Sequence, residues 1–220
     1  MGWAQYSFMS KPANVYIDGF NLYFGALKHR PQFKWLDLNN FAQTLQPHRE
    51  IGQVYYFTAD IHREHDFDEA PARQAAYLKV LADSGVEIVK GHFSHRQKNL
   101  RLVGESGPES KLASVWQYEE KGSDVNLASY LLRDVYVSNL THAVIVSGDS
   151  DLSNALKFAS EAGTHISLAI PDRHENGSSK LKAVAHYVQF VKSSQLESSQ
   201  FPHAVILNSG REIIRPKGWT

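Results

Sequence analysis

Apolar residues fall along this chain in short blocks separated by polar turns, and the blocks switch between a strand-like and a helix-like period. The run NVYID (14–18) reads as a short buried strand. The stretch 38–46 reads as a helix, opened by Asp37 as an N-cap and closed by Pro47, and GQVYYFT (52–58) reads as a second strand. A helix is predicted over 70–84, with Gly85 just past its end, followed by a strand VEIV (86–89). The rhythm breaks over 90–111, where two glycines besides Gly91, a proline, and five Lys or Arg against two Glu predict an exposed hairpin or loop. A helix resumes near Ser123, with Leu127, Ala128, Leu131, Leu132 and Val135 on one face. Asp124 belongs to that same face, one turn earlier. The clearest strand is HAVIVSG (142–148), followed by a helix over 151–162 that ends at Gly163, a strand over 165–170 stopped by Pro171, and a last strand over 187–191. From 193 the chain reads as a helix leading into a tail.

Alternating strands and helices of this kind predict an α/β fold, a three-layer Rossmann-like domain with a mostly parallel sheet covered on both faces. The expected organisation is an N-terminal extension over 1–12, one domain over 13–193 with a basic insertion over 90–111, and a C-terminal tail over 194–220. A length of 220 residues with 42% hydrophobic and 21% charged residues suits one domain with a sizeable core.

Charge and composition narrow the chemistry. The 23 basic and 23 acidic residues cancel, so any attraction to a polyanion rests on local patches and metal, not on a global basic excess. The absence of cysteine excludes a disulfide framework, a thiolate zinc site and a cysteine nucleophile, and none of the 11 histidines pair at the spacing of a zinc helix motif. No apolar run reaches membrane-spanning length, and MGWAQYSFMS (1–10) lacks the charged start and apolar centre of a signal peptide, so a soluble cytoplasmic protein is expected.

In an open α/β sheet, ligands bind beyond the carboxyl ends of the strands. The acids gather at those positions: Asp18 ends the first strand, Asp149 ends AVIVSGD, Asp151 opens the helix after it, and Asp124 opens the helix before it. Taken alone, Asp151 is better explained as a helix cap. Asp124 is different, because its helical phase turns it toward the buried stripe, where a carboxylate needs a partner. That partner is either Lys121, in a structural ion pair, or a metal shared with Asp18 and Asp149, for which an all-oxygen site selects Mg²⁺ or Mn²⁺. Competing chemistries lack their motifs: there is no GxGxxG after the first strand, no GxxxxGK[ST] and no GxSxG, and Phe20 stands where a dehalogenase-type phosphoenzyme would need a second acid. Metal-assisted hydrolysis remains.

Three segments, VYIDGFNLYFGAL (15–27), EEKGSDVNLASYLLRDVY (119–136) and VIVSGDSDLSNALKFASEAG (144–163), together with SSQFP (198–202), resemble the NYN domains, a branch of the PIN-like ribonucleases, and in particular their bacterial subgroup. The resemblance implies a PIN-like parallel sheet, dependence on Mg²⁺ or Mn²⁺, and RNA cleavage carried by Asp18, Asp124 and Asp149, with Asn21, Ser147 and Asp151 at accompanying motif positions. In such a site Asp18 and Asp149 are expected as direct ligands, Asp124 as a ligand or water holder, and Asp151 as a ligand through water. Asn21 either hydrogen-bonds a phosphate or orients Asp18, or is an ordinary capping residue. Ser147 either serves the site or satisfies local backbone. Lys121 either contacts the scissile phosphate or neutralises Asp124.

For the substrate, single-stranded RNA is favoured. Phe20, Tyr23 and Phe24 could stack on bases, although with Leu27 they have helical spacing and read more simply as core. His92, His95, Arg96, Lys98, Arg101 and Lys111 form a concentrated basic stretch, read either as a substrate path centred on Arg96, Lys98 and Arg101 or as a solvated loop. Two other readings are a module that binds RNA or a protein partner without cutting, and a metal-dependent phosphatase acting on a small nucleotide.

Overall fold

The computed structural model describes residues 11–61, 69–102, 112–171 and 178–219. The N-terminal stretch 1–10, and Lys111 of the basic segment, lie outside the described residues. Strand β1 (Ala13–Asp18) turns at Asp18 into α1 (Gly19–Leu22), which widens into a π-helical turn over Tyr23–Leu27 closed by the Lys28 amide donating to the Tyr23 carbonyl at 2.7 Å. Helix α2 (Leu38–Leu45) starts where the Asp37 carboxylate accepts from the amides of Asn39 and Asn40, at 3.0 and 3.2 Å, as its sequence pattern predicts. Then come β2 (Ile51–Thr58), α3 (Ala70–Asp83), β3 (Glu87–Lys90), β4 (His92–Arg101) and β5 (Leu112–Lys121). The second half holds α4 (Ser123–Val137), β6 (His142–Val146), a 3-10 turn Ser150–Leu152, α5 (Ser153–Glu161), β7 (His165–Ile170), α6 (Ser179–Val184), β8 (Tyr187–Phe190), α7 (Ser193–Ser198), β9 (Ala204–Ile206) and β10 (Glu212–Ile214).

The main sheet has six strands in the order β3-β2-β1-β6-β7-β8, and every pairing in it is parallel. Both faces must therefore be covered, and the alternation along β1 does this: Val15 and Ile17 enter a core with α2, α3 and the C-terminal segment, while Tyr16 enters a second core with α4 and α5. The chain winds outward from β1 through β2 to β3, then crosses to β6 and winds outward the other way to β8. Between β1 and β6 the direction of winding reverses, which opens a crevice beyond their carboxyl ends.

Three stretches differ from the sequence pattern or add to it. Of the basic segment expected over 90–111, the described part forms β4, which pairs antiparallel with β5 beyond the segment, from His92↔Lys121 to Arg101↔Leu112, as a two-stranded ribbon outside the main sheet, while residues 103–111 lie outside the described residues. Asp151 does not open α5; it sits inside the 3-10 turn that Asp149 caps. The C-terminal stretch is tied down: the Trp35 indole donates to the Pro202 carbonyl at 2.9 Å, Phe201 and Ile213 are buried in the first core, and Trp219 packs on its edge.

Candidate active site

Register brings the first two acids together. Ile17 pairs with Val146, so Asp18 and Ser147 leave the sheet side by side at the reversal point. Asp18, only 5% exposed, is held from two directions: its Oδ1 accepts from the Asn21 amide at 2.9 Å and its Oδ2 from the Ser147 hydroxyl at 2.9 Å. The Ser147 oxygen in turn accepts from the Asp149 amide at 3.1 Å, and the Asn21 side chain accepts from the Gly148 amide at 2.8 Å. Asn21 and Ser147 thus lace the β1 and β6 exits into one frame. Asp149 is the cap of the following turn, accepting from the Asp151 amide at 3.0 Å. The turn at Gly19 has no room for a side chain, since a Cβ there would stand 2.6 Å from the Phe57 carbonyl and 2.8 Å from the Tyr56 ring.

The third acid arrives from the other side of the crevice. Asp124 stands half-buried in the first turn of α4, and burial together with the charges of Asp18, Asp149, Glu120 and Asp151 pushes its carboxyl up to about 6. Burial likewise pushes Asp18 up, against the hydrogen bonds from Asn21 and Ser147 and with the charge of Asp149. The Lys121 partner considered for Asp124 is absent: Lys121 Nζ lies 3.3 Å from Glu119, because alternation along β5 puts these two side chains on one face and Glu120 on the other. No ion pair among the described residues reaches Asp18, Asp124 or Asp149.

These acids line an open cavity of about 290 Å³ together with Phe20, Asn21, Phe24, Gly25, Glu120 and Ser123. Glu120 is the member that sequence reasoning missed, although it lies inside the EEKGSD segment. Its Oε1 accepts from the Ser123 amide at 3.1 Å and hydroxyl at 2.7 Å, so it fixes the start of α4 while facing the acids. Asp151 is exposed and outside the lining. An all-oxygen, acid-rich set without a cationic partner fits a hard divalent ion by its chemistry. Among the described residues, however, no three of these side chains are drawn together tightly enough to enclose an ion directly.

The ribbon does not gather its basic residues on one face. Arg96 and Lys98 alternate onto the opposite face from Arg101, and Arg96 lies 3.7 Å from Glu119. What one face does gather is rings: His95 stacks on Trp116 and on Tyr118 with centroids 4.7 and 5.1 Å apart, and Trp116 is 61% exposed. Phe20 and Phe24 are not core; they line the acid cavity and a second, ring-walled cavity beside it. Leu27 is buried.

Comparison with known proteins agrees with this architecture. The NYN domain family model matches residues 12–195. The chain is 29% identical to 6-hydroxy-3-succinoylpyridine 3-monooxygenase HspA of Pseudomonas putida, over 93% of this chain and 74% of that protein. In fold it is similar to the crystal structure of a protein of unknown function from Vibrio parahaemolyticus, with a TM-score of 0.54 at 15% identity, covering 85% of this chain and 96% of that one. No helix among the described residues is long and apolar enough to cross a membrane.

Proposed function

The chain belongs to the NYN domain family, and from that membership we propose that it is a Mg²⁺- or Mn²⁺-dependent ribonuclease acting on single-stranded RNA. The observation that carries this reading is Asp124, a half-buried acid at the sheet's reversal point whose charged neighbours at the cavity are other acids. An arrangement that unfavourable for the free protein is what a site built for a cation looks like.

Asp18 and Asp149 would hold the ion, with Asp124 as a further ligand or as holder of a water, and Asp151 would act through water. Mg²⁺ commonly keeps several waters, which accords with carboxylates that surround the cavity without closing on one point. The bound ion would supply an acidified water and positive charge against the developing charge on the phosphate. The protein's own contribution is orientation. Ser147 and Asn21 fix Asp18 and the Gly148 backbone, and Glu120 fixes the start of α4 and so the approach of Asp124. The stacked rings of Trp116, His95 and Tyr118 support a single strand, since bases stack on such rings without regard to sequence. Arg101, on the ribbon face that carries those rings, would meet its phosphates, whereas Arg96, Lys98 and Lys121 lie on the other face, where they would serve a more distant part of the strand and where Arg96 and Lys121 are paired with Glu119.

The test is cleavage of a labelled single-stranded RNA by parent and Asp149→Asn, each with Mn²⁺ and with excess chelator. Cleavage by the parent with Mn²⁺ alone is expected, and full activity in chelator or in the variant would reject the reading. A second reading is favoured by the ring-walled cavity that adjoins the acids: the site handles a small aromatic acid, as the name of the Pseudomonas putida protein says of that protein. Cleavage of RNA that Asp149→Asn leaves untouched, together with turnover of such an acid, would favour it.

A further inference from the structure

Beside the acid cavity lies a second one of about 330 Å³, within the range of small-ligand sites, and its chemistry is the reverse of its neighbour's. Its walls are the rings of Phe20, Tyr23, Phe24, Tyr56, Tyr77 and Phe93, with Trp219 from the C-terminal segment. The ring at its inner edge is set by Phe20 standing perpendicular to Phe93, with centroids 5.7 Å apart. Two of its rings, Phe20 and Phe24, also line the acid cavity, so the two spaces share a wall and a ligand in one can present its end to the other.

The polar groups around this space are few, and two are cations. Lys34 Nζ stands 5.1 Å above the Tyr23 ring, and among the described residues Arg73 is ion-paired with Glu69 at 3.3 Å, in a surface pair of a kind that holds a side chain weakly. Gln74, by contrast, is fully committed to the backbone of Ile61 and Ala59. Flat rings on the walls select a flat ring inside, by offset stacking and edge contacts. Lysine and arginine at the lining select a negative charge on that ring's substituent.

We propose that this second cavity binds one planar aromatic ring bearing an anionic group, seated against the acid site. That chemistry has two sources, a nucleobase with its phosphate or a free aromatic acid. The first rests on the ribonuclease reading and would make the cavity the seat of a base next to the cleaved bond. The second does not depend on it.

Calorimetric titration of the full chain in chelator tests the inference, with uridine monophosphate, a hydroxypyridine carboxylate, ribose phosphate and pyridine as probes. At least one of the first two should bind about tenfold or more tightly than ribose phosphate, which lacks the ring, and pyridine, which lacks the anion. Tighter binding of the nucleotide assigns the cavity to nucleic acid, and tighter binding of the pyridine acid assigns it to a small molecule. Arg73→Ala, at a partly exposed position, should weaken the preferred probe about tenfold, and Tyr23→Ala should do the same with Tyr23→Phe restoring it. Equal binding of all four probes, no binding of any, or affinities that survive both Arg73→Ala and Tyr23→Ala would overturn the proposal. Because these titrations contain no metal and read no cleavage, their failure leaves the ribonuclease test standing, and the failure of that test leaves theirs.

Discussion

Helix α4 carries an aspartate near each end, and the two meet opposite fates. Asp134, at the end facing the start of β1, is 3% exposed and answered on every side: the Tyr16 hydroxyl donates to it at 2.7 Å, the Asn14 amide group at 3.1 Å, and the Arg133 guanidinium at 2.9 and 2.8 Å. Burial alone would raise its carboxyl, but the hydrogen bonds from Tyr16, Arg133 and Tyr55 outweigh it and hold the group below the usual range. Asp124, ten residues earlier at the carboxyl ends of the strands, is more exposed and yet raised, by burial first and then by the negative charges of Asp18, Asp149, Glu120 and Asp151. The difference lies in the partners and not in burial. A buried acid that the fold completes is a fastener, whereas a half-buried acid facing other acids is where the proposed nuclease would take its cation.

Activity should separate the two ends most sharply. Asp18→Asn or Asp149→Asn should lower Mn²⁺-dependent RNA cleavage by about a hundredfold or more, since an amide lacks the charge that holds the ion. Asp134→Ala should leave the site's chemistry alone at temperatures where the protein stays folded. Stability should reverse the order: Asp134→Ala strands the buried Tyr16 hydroxyl and frees Arg133, and chemical denaturation should show a loss of about 2–4 kcal/mol. A variant that kept full stability would place Asp134 among ordinary surface acids.

Much of this contrast is legible in the sequence, and the part that is not has a common cause. Asp18 and Asp149 announce themselves because each follows an apolar run that could only be a buried strand, so their place at the sheet's carboxyl edge follows from local pattern. The inward phase of Asp124 is equally local. The partners are not. Asp134 is completed by Asn14 and Tyr16, 120 and 118 residues away along the chain, and no local pattern carries that. Lys121 goes to Glu119 because of ribbon register, and the same register splits Arg96 and Lys98 from Arg101. Glu120 is not legible because no local pattern near a strand's end reveals that its carboxylate accepts from the first residue of the next helix. Strand β5 itself, LASVWQYEEK, does not alternate apolar and polar residues and takes its identity from pairing with β4.

Neutralising Arg96, Lys98 and Arg101 together extends the comparison to the ribbon. RNA affinity should fall about tenfold or more and its salt dependence flatten, with the melting temperature little changed, as filter binding across salt concentrations would show. Since Arg96 is already paired with Glu119, Arg101→Ala alone should account for a larger share of the effect than Arg96→Ala.

The pH dependence of stability in chelator should also differ at the two ends. Asp124 has a folded value of about 6 against an ordinary 3.8, so protonation favours the folded state. The stability it confers is full below the ordinary value and is lost as pH rises through the folded one, a change on the order of 1–2 kcal/mol once solvent screening of a half-buried group is allowed for. Asp134, held low, has the opposite sign: its contribution is present above the ordinary value and is lost as pH falls through the folded one. His142 and His165, lowered by burial and by neighbouring positive groups, also cost stability as pH falls. The Asp124 effect is therefore read as the difference between parent and Asp124→Asn, which should vanish at the acid end of the range.

Thermal melts of parent and Asp124→Asn at neutral pH, each in chelator and in Mn²⁺, test the central claim most directly. If the acids are held together for a metal, Asp124→Asn in chelator gains about 0.5–2 kcal/mol, the range seen when functional strain is relieved. Mn²⁺ then stabilises the parent more than the variant, by binding the folded state. A loss of stability in chelator together with equal responses to Mn²⁺ would mean that Asp124 is a fastener like Asp134, and would contradict a shared metal site at this end of the helix.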